Sequence, residues 1–179
     1  MFLRLVSWSL NRFRDITKCC LLVFGTLNKS NMLKNILFQH CAEHLNRSLL
    51  LFEKRKVEIL DALGSESKSS ARDKHETGRA MIQLEREKLG EQIKETERNL
   101  KLLLPLENHR ISDKASLGSI AQTDTFNYYM AISAPKVVIN NTPYYCISAQ
   151  SPIGRLILGK KVGDPISFNG KTSFIQAII

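Results

Sequence analysis

The chain is predicted to be α+β: an antiparallel coiled-coil hairpin followed by a small sheet domain. Two periodic apolar segments separated by a polar, serine-rich break predict the hairpin. A change of texture after Pro105, from heptads to short β-branched and aromatic runs punctuated by Asn and Gly, predicts the sheet. With 179 residues, 43% hydrophobic and 24% charged, the chain has enough apolar content to fold as one or two small domains.

Residues 1–31 do not match the texture of the rest of the chain. Their apolar run, Cys19 to Phe24, lies behind a basic stretch in the manner of a signal peptide. It is closed by no small-residue cleavage site and is far shorter than the roughly 20 apolar residues of a spanning helix. This segment is therefore expected to be extra, non-native or disordered, with the native start at Met32 and no membrane partner.

From Met32 the apolar residues fall into a heptad. Phe38, Ala42, Leu45, Leu49, Phe52, Ile59 and Leu63 alternate at spacings of four and three, with one polar break at Lys56. Gly64 is expected to cap this helix, and a Ser-rich turn comes next. Ile82, Arg86, Leu89, Ile93, Thr96, Leu100 and Leu103 make the second seam, supported by an exposed Glu97–Lys101 pair and ended by Pro105. Two helices of similar length on one short connection fold back on each other, so residues 32–106 form an arm whose first helix spans roughly 40 Å from Phe38 to Leu63. A dimeric coiled coil is the competing arrangement, since heptads do not say which chain supplies the partner helix.

The tip, residues 65–79, carries two carboxylates three residues apart, Asp73 and Glu76, among Lys68, Arg72, Lys74 and Arg79. If the second helix begins near Arg72, both acids lie on one face of its first turn, where a divalent cation would meet both. The basic residues suit a polyanion; the plain alternative is a solvated turn of mixed charge.

Past a polar connection, strands are expected at Phe126–Ile132, Val137–Ile139 and Tyr144–Ile147, the last two joined by an Asn140-Asn141 turn. After them comes a short helix with Ser151 as N-cap, Pro152 at its first position and Gly159 at its end. Strands Pro165–Phe168 and Ser173–Ile178, joined by Asn169-Gly170, close a small antiparallel sheet in residues 107–179. Net charge is +9, spread as +4 over 1–31, +2 over 32–104 and +3 over 105–179, so most of the basic excess lies outside the hairpin. That balance is compatible with nucleic acid or a nucleic-acid machine as partner. Cys19, Cys20, Cys41 and Cys146 lack metal or disulfide spacing and read as reduced thiols of a cytoplasmic protein. His40 and His44 sit at i, i+4 without the Glu that a zinc-protease helix requires, and read as surface or seam residues.

The string Ile147-Ser148-Ala149-Gln150-Ser151-Pro152-Ile153-Gly154-Arg155-Leu156-Ile157-Leu158-Gly159-Lys160-Lys161-Val162-Gly163-Asp164 closely resembles the C-terminal signature of the transcript-cleavage factors GreA and GreB. The resemblance covers Met32 to Ile179 in layout, is strong from Gly118 onward and is weak in sequence along the coil. It implies a divergent Gre-like member with an N-terminal coiled coil and an FKBP-like C-terminal domain. In the tip motif of that family the Asp and first Glu are the functional acids. Asp73 and Glu76 keep both at that spacing, while Arg72, Thr77, Arg79 and Ala80 replace the family's Gly, Asn, second acid and Tyr.

The resemblance further implies a monomeric factor, not itself an enzyme, that binds RNA polymerase through its secondary channel. Ser148, Gln150, Ser151 and Pro152 would dock on the polymerase, and Lys68, Arg72, Lys74 and Arg79 would contact the RNA 3′ end. Asp73 and Glu76 would serve as the catalytic pair that helps hold a second Mg2+ in the polymerase active site. A Gre-like inhibitor with the same docking loop is the alternative, and prolyl isomerase activity is suggested only by the implied fold.

Overall fold

The computed structural model describes the backbone of residues 7–66, 72–107 and 112–179, with side chains from residue 29 onward except for 65–77 and 108–111. A long helical pair leads into a mixed six-stranded sheet carrying one short helix on its far side. Helix α1 (Ser7–Glu66) spans 60 residues and α2 (Arg72–Leu103) 32, about 90 and 48 Å at 1.5 Å per residue.

Neither end of α1 falls where the sequence suggested. The helix runs straight through Met32 from Ser7. Residues 1–31 contain no proline to stop it. At the other end Gly64 does not cap. It lacks the positive φ of a left-handed terminus, and α1 continues to Glu66.

The heptads pack as an antiparallel hairpin. On α1, Phe38, Leu45 and Ile59 are buried and Ala42, Leu49, Phe52 and Leu63 half-buried, while Lys56, the polar break, is exposed and paired with Glu53 at 3.3 Å. On α2, Leu89, Thr96 and Leu103 are buried and Arg86 is exposed. The Thr96 hydroxyl donates to the Gln92 carbonyl at 2.8 Å, which satisfies it inside the seam. Arg55 crosses between the helices to Glu85 at 2.6 Å. Along α2 the ion pairs among the described residues are Glu91–Lys94 and Glu95–Arg98, not the expected Glu97–Lys101.

After a 3-10 turn (Leu104–Glu107) and a connection come β1 (Ile120–Thr123), β2 (Asn127–Ala131), β3 (Val137–Ile139), β4 (Thr142–Ser148), α3 (Pro152–Ile157), β5 (Pro165–Phe168) and β6 (Lys171–Ile178). The sheet order is β3-β4-β2-β1-β6-β5. It is mixed, where an antiparallel sheet was expected: β4 pairs parallel with β2 as well as antiparallel with β3. The β3–β4 hairpin has inserted its second strand next to β2, a long-range choice that local turn signals do not encode. Both two-residue turns are as read. Asn140 and Asn141 have φ of 50° and 61°, and Asn169 and Gly170 have 51° and 74°, the left-handed pairs that match strand twist.

The sheet separates two apolar cores. On one face Tyr129, Ala131, Tyr144 and Cys146 pack against Leu37, Phe38, Cys41 and Leu45 of α1 and Leu103 of α2. On the other, Met130, Ile166 and Ile175 pack under Ile157 of α3. The arm is therefore fixed to the sheet by its base, and the rest of its length projects away.

Candidate functional site

The two regions singled out in the sequence lie at opposite places in this frame. Asp73 and Glu76 occupy the first turn of α2, which starts at Arg72. Leu103, at the other end of the same helix, is buried against the sheet. The two residues thus stand at the end of the arm remote from the sheet domain, three positions apart along the helix. Their side chains, with those of Arg72 and Lys74, lie outside the described residues, as does Lys68 altogether. Arg79 lies one turn further along and is exposed.

Mg2+ prefers oxygen donors, keeps several waters and is commonly held by one or two carboxylates completed by phosphate oxygens. Asp73 and Glu76 carry oxygen donors of that kind. Among the described residues no group of three or more His, Cys, Asp or Glu is placed to hold a metal. His40 is engaged elsewhere: its Nε2 lies 2.8 Å from the Pro135 carbonyl, a contact tying α1 to the β2–β3 connection. With a carbonyl as partner, that nitrogen carries the proton.

The second region is the corner between β4 and α3. Ser148 ends β4, and its carbonyl accepts from both the Ser151 amide at 3.0 Å and the Ser151 hydroxyl at 2.6 Å. The Ser148 hydroxyl accepts from the Gln150 amide at 3.2 Å. Ser151 caps α3, its Oγ accepting from the Gly154 amide at 3.1 Å. A side chain at 154 has nowhere to go, because a Cβ there would lie 2.1 Å from the Ser148 carbonyl oxygen. Ser148, Ser151 and Gly154 are thus consumed in building a tight strand-to-helix corner. Gln150 and Pro152 are the members exposed on its outside.

The remainder of the string 147–164 is also structural. Gly159, with φ 78°, donates to the Ala115 carbonyl while the Ala115 amide donates to Lys160, each at 2.8 Å. Asp164 accepts from the Lys161 amide at 2.8 Å, and Gly163, with φ 92°, donates to Ile175. The docking residues expected from the resemblance were Ser148, Gln150, Ser151 and Pro152, without Gly154. Its signal was present, a glycine three residues after an N-cap serine, where only a close backbone approach would require it.

On the sheet face away from the arm, Phe126, Tyr128 and Tyr145 form an aromatic cluster. Phe126 meets Tyr145 edge-on with ring centres 5.4 Å apart, and Tyr128 lies 6.1 Å from Tyr145. Burial, then the neighbouring Tyr145, pushes the Tyr128 hydroxyl above its ordinary pKa. No helix among the described residues is long and apolar enough to cross a membrane.

The fold and these two places are those of an α+β protein with a projecting helical arm. Neither the protein-family models nor the curated proteins contain a match to the chain. Among solved structures it is similar to the crystal structure of the GreA factor homolog 1 protein of Thermus thermophilus, at 19% identity over 76% of this chain and 93% of that one, with a TM-score of 0.30. At that level of superposition the likeness assigns no residue a role.

Proposed function

We propose that this protein is a Gre-like transcription factor that docks on RNA polymerase through its FKBP-like sheet domain and inserts the helical arm into the secondary channel. The observation that carries the reading is the arm itself: a two-helix rod fixed to the sheet only at its base, with Asp73 and Glu76 on the first turn of α2 at its remote end. Support also comes from the string 147–164, whose likeness to the Gre signature includes the corner glycine Gly154, the strand-ending Ser148 and the capping Ser151.

In this reading Asp73 and Glu76 would hold a Mg2+ jointly with the polymerase. The ion supplies charge neutralisation at the scissile phosphate and a water of lowered pKa. Asp73 and Glu76 would be the residues of this chain that hold that ion. Arg79, with Lys68, Arg72 and Lys74, would bind phosphate oxygens of the extruded RNA 3′ segment, with an affinity that falls as salt rises. Gln150 and Pro152 make the exposed docking contact. The factor works as a monomer in the cytoplasm and has no nuclease activity of its own, because two carboxylates make only half of a metal site.

Stalled elongation complexes incubated with the protein and Mg2+ test the proposal. Shortened transcripts that disappear with Asp73→Asn/Glu76→Gln, at unchanged polymerase binding, are the expected result. Cleavage retained in that double variant would remove the carboxylates from the mechanism. Slowed extension without shortening would favour an inhibitor, a reading the basic replacements at 72 and 79 also suit. Gln150→Ala should weaken polymerase binding and leave the fold intact, since that side chain is exposed.

A further inference from the structure

The seam of the hairpin leaves part of the arm's apolar surface uncovered. On α1, Leu50 is 73% exposed, Val57 56% and Leu60 49%. At about 100° per residue these three fall within roughly 80° of one another, on one flank of the helix. The opposite flank carries Arg55, tied across the hairpin to Glu85 at 2.6 Å. Counting from that pair, Gly90 of α2 is level with Leu50, and open space surrounds it, so α2 lays no side chain over Leu50 at that point. Single exposed apolar side chains are ordinary, whereas a run of them on one flank marks a contact surface.

The charges along the flank decide what covers it. Arg47, Lys54 and Asp61 border the stripe at seven-residue intervals, and Glu53 lies within it. Among the described residues Arg47, Lys54 and Asp61 make no ion pair, and Glu53 has only Lys56 of its own helix, at 3.3 Å. This pattern of both signs, spaced around a short apolar run, is complementary to itself when reversed.

We infer that the flank pairs two copies of the chain, α1 against α1, antiparallel about a two-fold axis at the level of Glu53 and Lys54. In that register Leu50 of each copy meets Val57 of the other, Glu53 meets Lys54, and Arg47 comes against Leu60 and Asp61. Glu43 falls opposite Gly64 and meets no like charge. Other registers are worse. A parallel pairing sets every charge against its own copy. Moving the axis one turn toward Gly64 sets Glu53 against Asp61, and moving it one turn toward the sheet sets Val57 and Leu60 against Glu43 and His40. The contact is isologous, as a closed two-fold dimer requires, and leaves the two sheet domains at opposite ends. Each hairpin keeps its own seam, so finished arms meet as a four-helix contact and no helix is exchanged. With three apolar residues from each copy the interface is small, of the transient kind that fills only at high protein concentration. The inference does not depend on the polymerase reading; in its terms the dimer is a resting form that parts before the arm is used.

Sedimentation equilibrium of the full chain, from low micromolar to near-millimolar concentration, tests it. The weight-average mass should rise from that of one chain toward that of two. Leu50→Glu/Val57→Glu should abolish the rise, while Leu51→Glu, at a leucine 62% exposed on the Arg55 side, should leave it in place. Charge reversal checks the register. Glu53→Lys and Lys54→Glu should each weaken association several-fold at low salt, and the double change should restore it. Every substituted residue is exposed, and circular dichroism identical to that of the unaltered chain shows that the variants fold. The mass of one chain at all concentrations, a dimer indifferent to Leu50→Glu/Val57→Glu, or a double charge variant no better than the single ones would overturn the inference.

Discussion

The arm and the sheet domain are held together by different means. The sheet carries a core on each of its two faces, and Ile120, Tyr129, Met130, Ile157, Ile166 and Ile175 are shut away almost completely. Along the arm only one stripe of each helix is covered. Beyond Leu45 the only buried hydrophobic among the described residues of α1 is Ile59, while Leu50, Leu51, Val57 and Leu60 stand exposed, and the cross-helix tie at Arg55–Glu85 is on the surface. Exposed pairs of that kind contribute little. The base of the arm is different, because Leu37, Phe38, Cys41 and Leu103 share the core of the sheet. A projecting rod thus borrows its stability from the domain at its foot, and its far half has less to lose by opening than the sheet domain.

The largest expected effect breaks the sheet side of the comparison. Gly154→Ala drives a methyl group into the Ser148 carbonyl, a backbone group with little freedom to relax, and against the Ser151 hydroxyl, and should cost about 3 kcal/mol. Denaturant unfolding measures it, and the base of the arm should lose protection together with the sheet. Ile59→Ala tests the arm. It should cost about 2 kcal/mol, at the lower end for a buried isoleucine because a thin rod collapses easily around the gap. Leu50→Ala, on a residue 73% exposed, should stay within about 0.5 kcal/mol. Hydrogen exchange should show the Ile59 effect confined to the outer arm. Ser151→Ala removes the cap of α3 and the bond to the Ser148 carbonyl and should cost about 1 kcal/mol, read from the same denaturant curves.

The elements legible in the sequence were those written in local signals. The seam from Phe38 to Leu63, both Asn-containing turns and the capped helix at Pro152 each depend on residues within a turn or two of one another. β1 was missed, because Ile-Ala-Gln-Thr is too short and too mixed to show alternation. The parallel pairing of β2 with β4 was missed because nothing near either strand encodes its neighbour. Of the candidate site, the places of Asp73 and Glu76 at the start of α2 followed from the helix boundary at Arg72. The division of labour in 148–154 did not. A motif gives residue types, and only the backbone's approach to Gly154 separates the members that build the corner from those, Gln150 and Pro152, left facing outward.

The smallest expected effect returns to the surface of the arm. Lys94 lies 2.9 Å from Glu91, and its hydrogen bond, then its charge, holds the Glu91 carboxyl below the usual value of 4.5. A carboxyl whose pKa is lowered on folding stabilises the folded form above its unfolded pKa, and that contribution is lost as the pH falls through the lowered value. Stability should therefore decline slightly below pH 4.5 through this group, and Lys94→Ala should flatten that part of the curve. Both residues are exposed, so added salt should shrink the difference between the two proteins. Thermal melts of the two proteins at pH 3 and pH 6, each at low and high salt, check this; equal differences at all four conditions would mean that the pair contributes nothing to the arm.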